Sequence, residues 1–383
     1  MKKVMGMLVV TALLMGSVSA QKITMNYRTQ AAIATITNSG ADGAPTKVDF
    51  FNLDDNAYAA EAKDDLSITL SGDYAGASIT IQPAIKGLTT GDKDGFTMLP
   101  DTYYGWVNYG SFKVTAGRFD SRYTGRVSSF AGNYSMSTVG EYVKLGGLKK
   151  AGMIVDAANL GTTGTAKKIH SLIADYTFNV GDADKLLVKL GFQETNIALS
   201  DDINWASTSL SLGYSLNPFG TIEGVFRWLE KDTYVLGAYL RPNKLVDNLD
   251  AVVGFTIGMD TANADNMATE MGIDVRAQYN ISDAFYIATN MNFTKYTNDE
   301  WGMWIAGNGT YKVNELFTGK LTVSYIDESK AGDVKAINGL LGAEFYAMRN
   351  CSISSGVEVR YNLDGSSKKG LTAFIPLILR VKL

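Results

Sequence analysis

From Lys22 onward the chain repeats one pattern, apolar and polar residues alternating over segments of about 8 to 14 residues, about twenty such segments in all. Leu172, Ala174, Tyr176, Phe178 and Val180 share a face; after Gly181-Asp182-Ala183-Asp184 the chain returns with Leu186, Val188, Leu190 and Phe192. Ile273, Val275, Ala277 and Tyr279 lead into Asn280-Ile281-Ser282-Asp283 and come back as Phe285, Ile287, Thr289 and Met291. A period of two places these side chains on one face of a strand, and the polar punctuation between the runs is hairpin-turn chemistry. The last segment, Leu371 to Leu383, is apolar at every odd position, with Arg380 and Lys382 between. A soluble sandwich could use such a strand, and so could a barrel whose apolar face meets lipid.

Connection lengths favour the barrel. Short turns are expected near Gly72, Gly110, Lys149, Gly181, Pro218, Asn280, Asn314 and Arg349, with longer polar connections between them. Up-and-down outer-membrane barrels have this asymmetry, and counting back from a last strand that ends in the periplasm keeps it to Lys22, so the strand number is even. Two places strain the scheme: a very short outer connection at Lys231-Asp232 and a long inner one from Arg241 to Asn248. The polar stretch from Thr37 to Asp64 is a loop or an extra hairpin. The expected fold is all-β, a transmembrane antiparallel up-and-down barrel of about 18 to 20 strands, with 16 as the lower alternative.

The opening MKKVMGMLVVTALLMGSVSA has Lys2 and Lys3, a short apolar run and small residues at Val18 and Ala20, the layout of a secretory signal peptide over residues 1–20. Residues 21–383 are then expected to form a single barrel domain, exported to the outer membrane of a diderm bacterium. No later apolar run reaches the about 18 residues of a membrane helix. Mean hydropathy is −0.02, which a barrel tolerates because only alternate residues must be apolar. Removing Lys2 and Lys3 takes the formal charge from −4 to −6, which gives no support to a nucleic-acid partner.

The face opposite the apolar one carries Lys113, Lys144, Lys189, Arg227, Arg241, Arg276, Lys312, Lys320, Arg360, Arg380 and Lys382, and fewer acids: Asp175, Glu223, Glu270, Asp274, Glu344 and Glu358. In a water-filled lumen these charges cost little, whereas an Arg or Lys at the lipid midplane costs about 2 to 4 kcal/mol. A basic wall beneath acidic outer loops gives a mild anion preference. Tyr109, Phe112, Tyr279, Phe285, Tyr311, Phe317 and Phe345 lie on the apolar face beside short turns, the position of an interfacial girdle.

Catalytic chemistry is not expected. His170 is the only histidine and Cys351 the only cysteine, too few for a metal constellation or a nucleophile with its base, and no cofactor motif is present.

The stretch GSFKVTAGRFDSRYTGRVSSFAGNYSMSTVGEY, Gly110 to Tyr142, resembles the general bacterial porins: a fifth strand, Ser111 to Arg118, followed by a long loop. The resemblance implies passive diffusion of small hydrophilic solutes or ions through the lumen, narrowed by an infolded loop at 119–139. Arg118, Asp120, Arg122, Tyr123 and Arg126 are then constriction candidates, with Lys113, Lys189, Arg227, Arg276, Asp274 and Arg360 lining the pore. Alternation from Phe112, Val114 and Ala116 points Arg118 at the apolar face, so an inward Arg118 requires a bulge at Gly117. The resemblance also implies outer-membrane lipid as surroundings, a homotrimer, and insertion by the barrel machinery through the C-terminal strand, which here ends in Leu383 rather than the usual Phe. The alternatives are a substrate-selective channel and a surface adhesin or structural barrel without transport.

Overall fold

The computed structural model describes residues 22–38, 45–52, 65–85, 96–120, 169–193, 208–216, 219–230, 233–242, 246–261, 268–295, 299–327, 335–348, 350–363 and 370–383. The described secondary structure is all strand. The first six strands are β1 (Lys22–Asn38), β2 (Lys47–Asn52), β3 (Asp65–Ser71), β4 (Ala75–Ile85), β5 (Phe96–Tyr109) and β6 (Phe112–Asp120). Then come β7 (Ile169–Val180), β8 (Asp184–Gln193), β9 (Thr208–Leu216), β10 (Gly220–Glu230), β11 (Thr233–Pro242) and β12 (Leu249–Asp260). The last seven are β13 (Ala268–Asn280), β14 (Phe285–Lys295), β15 (Trp301–Lys312), β16 (Phe317–Asp327), β17 (Lys335–Met348), β18 (Cys351–Asn362) and β19 (Gly370–Lys382).

From β3 to β19 each strand pairs antiparallel with the next, and β19 pairs with β1, so the sheet closes on itself. One edge of β1 is shared: Lys22 to Arg28 pair with β3, and Ala32 to Thr37 pair with β2. Both partners run the same way, end to end, and occupy one place in the wall. The 19 strands therefore fill 18 places. Directions alternate around a closed antiparallel ring only if the number of places is even, so the shared place is what lets 19 strands close.

Crossing the ring along the paired residues and returning to β1 gives a net advance of about 20 residues up the strand, a tilt of about 40°. Outer-membrane barrels tilt by about 35–45°, and a ring of this size is wide enough for an aqueous lumen.

The wall has its apolar side outward. Leu321, Leu341 and Val357 face one another across β16, β17 and β18, and they are 52%, 65% and 49% exposed. The intervening residues are covered: Asn338, Leu340, Glu344, Ser352, Ser354 and Glu358 are all buried. A soluble sheet would hide the leucines and wet the glutamates. The girdle is in place too, with Tyr109, Phe112, Tyr279, Tyr311, Phe317 and Phe345 exposed next to the short turns, and Phe285 half-buried against Tyr311.

Short connections gather at one end. Gly110-Ser111 joins β5 to β6, Gly181 to Ala183 joins β7 to β8, and Val313 to Leu316 joins β15 to β16. The start of β1 and the end of the chain meet there, with backbone bonds of 2.8 Å in both directions between Met25 and Leu383. At the other end the spans between strands are mostly longer, and the short β10–β11 connection expected at Lys231-Asp232 is indeed only those two residues. Of the loop expected at 119–139, Phe119 and Asp120 belong to β6 instead; the rest of it, the turn expected near Lys149 and the signal peptide lie outside the described residues. β6 pairs directly with β7, so 18 is the count at the lower end of the expected 18 to 20.

Candidate functional site: the inner wall of the barrel

The inner wall is built by register. Lys113 of β6 sits opposite Asp175 of β7, and Asp175 opposite Lys189 of β8, so a carboxylate lies between two ammonium groups in one row. All three are half-buried. In the next row Trp106 of β5 faces Gly76 of β4, and the indole is folded across the strand onto its partner, occupying the space where a side chain at 76 would begin. Lys113 Nζ lies 5.7 Å from the centre of that ring, and Tyr104, two residues up β5, is 5.8 Å away centre to centre. A lone glycine inside a strand pattern marks such a close approach, but its partner emerges only once the register is known.

Arg227 on β10, Asp274 and Arg276 on β13, and Arg360 on β18 occupy inward register positions, each on a different stretch of the wall from the Lys113 row. Arg276 is opposite Asn290, and Asp274 opposite Asn292. Arg360 Nε donates to Asn362 Oδ1 at 2.9 Å. Lys113 and Lys189 are brought into one row, on either side of Asp175.

The bulge required at Gly117 is present. On the β7 side, Ala116 pairs with Leu172 but Phe119 with His170, so β6 carries an extra residue. Gly117 has φ +128, and a Cβ there would crowd Tyr103 O and come within 2.6 Å of Tyr104 Cα. Only glycine accepts both conditions. Arg118 follows the kink and Asp120 ends the strand; Arg122, Tyr123 and Arg126 lie outside the described residues.

The wall from β15 to β19 corrects one expectation. Its inward charges were expected in water, yet Lys320 is 9% exposed and Glu358 2%. Lys320 Nζ and Glu344 carboxylate oxygen are 3.8 Å apart. Around them the polar side chains bond to each other: Thr310 Oγ1 donates to Asn308 Oδ1, and Asn308 Nδ2 to Thr322 Oγ1, both at 2.9 Å, and Asn338 Nδ2 donates to Ser324 Oγ at 3.0 Å. Alternation along one strand places these groups on the inner face but does not encode how deeply they are buried.

A closed antiparallel ring, apolar outside and polar inside, is the layout of an outer-membrane barrel. The fold is a porin fold. Among solved structures, the chain is similar to an anion-selective porin from Comamonas acidovorans, at 14% identity and TM-score 0.53, over 95% of this chain and 100% of that one. It is similar to OccK1 (OpdK) from Pseudomonas aeruginosa at 8% identity and TM-score 0.57, over 96% and 100% of the two chains. A further structure of the outer-membrane protein OpdK from that organism matches at 9% identity and TM-score 0.54, over 95% and 99%. No family model and no curated protein matches the chain. These likenesses fix the porin architecture; solute and selectivity must come from the wall itself.

Proposed function

We propose that the protein is an outer-membrane porin that passes small hydrophilic solutes by diffusion, with a mild anion preference and no catalysis. The observation that carries this is the inverted wall: aliphatic side chains exposed outward on β16 to β18, and charged or amide side chains inward on the same strands. Inward lysines and arginines outnumber inward acids, and local charge along a pore governs ion choice more than net charge does. Arg118, Asp120, Arg122 and Arg126 are our constriction candidates. The Gly117 bulge supports this, because it supplies the change of side that an inward Arg118 needs. A homotrimer and recognition by the insertion machinery through β19 belong to the same proposal.

A substrate-selective channel is the second reading. It is favoured by the buried inner wall of β15 to β19, which leaves less of the circumference wetted than a plain sieve would have. The similar OpdK has also been crystallised with vanillate.

Single-channel recording in planar bilayers separates these. A steady conductance with reversal potentials favouring chloride supports the porin, saturable block by one solute supports the selective channel, and no conductance supports an adhesin or structural barrel. Replacing Arg118, Arg122 and Arg126 together by Ala is expected to raise conductance and move the preference toward cations; no change would place these residues away from the constriction.

A further inference from the structure

Lys113 has two partners within reach of its side chain, and it has taken the farther one. Asp175 lies directly opposite it on β7, whereas Trp106 lies one diagonal step away on β5, opposite Thr115. The ammonium nevertheless stands 5.7 Å from the centre of the indole, inside the range of a cation–π contact. The charges of Lys189 and Lys113 both act on the Asp175 carboxylate, Lys189 the more strongly, yet among the described residues it accepts no hydrogen bond and forms no ion pair. A cation over an aromatic ring and a partly exposed ion pair are of similar strength, so a small bias decides between them. Gly76 supplies that bias. Trp106 lies opposite it, and the ring fills the space where any Cβ at 76 would begin. An indole seated this way has little freedom left to lose when a cation settles on it. The row from β6 to β8 thus keeps two ammonium groups and a carboxylate apart instead of collapsing one pair into a contact.

We infer that Trp106 is a positioning residue for ion selectivity: it holds the Lys113 ammonium off Asp175 and so keeps it open to passing anions. The inference rests on the porin reading and names a residue that sets its anion preference. An ammonium in contact with a carboxylate attracts an anion poorly, because the anion meets both charges at nearly the same distance. Held apart from the carboxylate, the ammonium attracts the anion against less repulsion, although the net charge of the row is the same. Asp175 is the counterweight, weakening the pull of both lysines and keeping the preference mild.

The test is the permeability ratio of chloride to potassium, from reversal potentials of the full barrel in planar bilayers under a salt gradient. Asp175→Asn should raise the ratio about two- to threefold, the effect of removing one unit charge at roughly 7 Å in water. Trp106→Ala should lower it by about one and a half-fold, since the released ammonium moves onto Asp175. Gly76→Ala should reproduce that fall with Trp106 still present, because its Cβ displaces the indole. Trp106→Phe, which keeps an aromatic face, should retain most of the wild-type ratio. In the Asp175→Asn background, Trp106→Ala should change nothing, as the carboxylate that captures Lys113 is gone. A ratio unmoved by both Trp106→Ala and Gly76→Ala would overturn the inference. So would a fall of equal size with and without Asp175, which would mean that the ring acts on the ions by itself. If Trp106→Ala does not fold, Gly76→Ala and Trp106→Phe make the same comparison. A second measurement is independent of conduction. In micelles, the Lys113 ε-methylene proton signal, assigned by its loss in Lys113→Arg, should be shifted upfield by the ring and return to the ordinary lysine position in Gly76→Ala. Absence of any current would count against the porin reading alone, whereas an unshifted Lys113 signal would overturn the positioning role with or without current.

Discussion

Leu340 and Leu341 are neighbours on β17 with the same side chain, yet one is 5% exposed and the other 65%. Nothing in their chemistry separates them; only the alternation of the strand does. Leu341 lies in the exposed aliphatic row with Leu321 and Val357, where acyl chains would replace water.

Leu341→Arg should therefore impair insertion and destabilise the folded barrel by about 2 to 4 kcal/mol, the cost of an arginine near the midplane. Gln278→Arg, at an inward position of β13 where Gln278 Nε2 now donates to Asn280 Oδ1, should fold nearly as wild type. Urea titrations in lipid vesicles measure both. Equal effects would mean that the two faces have been exchanged.

Sidedness follows from the ends of the strands. Single cysteines in place of Asp299, at the long-connection end, and Asp202, in the span between β8 and β9, should react with an impermeant thiol reagent on whole cells. Cysteines in place of Asp182 and Asn314, in short turns at the opposite end, should react only after the outer membrane is opened. Uniform labelling would sink the two-sided arrangement.

The buried pair on β16 and β17 should be costly to break and cheap to remove. Lys320→Met leaves the Glu344 carboxylate in a covered site and is expected to cost about 3 to 5 kcal/mol. Adding Glu344→Leu should recover a large part of that loss, since neither charge then remains buried. A double variant as unstable as the single one would mean that the pair is not coupled, and a double-mutant cycle by chemical denaturation reads this directly.

Gly117→Val should destabilise the barrel by about 1 to 3 kcal/mol, because φ +128 is foreign to a β-branched residue and its Cβ has no room beside Tyr103 and Tyr104. Gly110→Ala, at φ +57 in an open turn with nothing near its Cβ, should cost less. The ratio of the two, from heat-dependent gel mobility, checks whether the bulge or the turn is the constrained feature.

Much of this was legible beforehand. The turns at Gly181 to Asp184 and Asn280 to Asp283 and the girdle from Tyr109 to Phe345 follow from rules that act over two to ten residues along the chain, whereas the bulge at Gly117 was expected only as the condition for an inward Arg118. What escaped prediction acts across the chain. That β2 and β3 share one edge of β1 depends on register between strands many residues apart. The seating of Trp106 on Gly76 pairs residues 30 positions apart through a hairpin whose exact alignment the alternation leaves open. Burial of Glu358, opposite Leu340 and Phe374 on the neighbouring strands, has no signature in the strand that bears it.

The meeting of Met25 with Leu383 has a further consequence. Because the two ends of the wall are hydrogen-bonded neighbours, the seam between β1 and β19 is geometrically one strand junction among many, and the order in which the chain visits the ring is independent of the ring. A short linker from Leu383 to Lys22, with new ends opened at Ala183, would describe a circular permutant with the same rows, the same tilt and the same inner wall. Its closing seam would then fall between β7 and β8, directly beside Asp175 and Lys189.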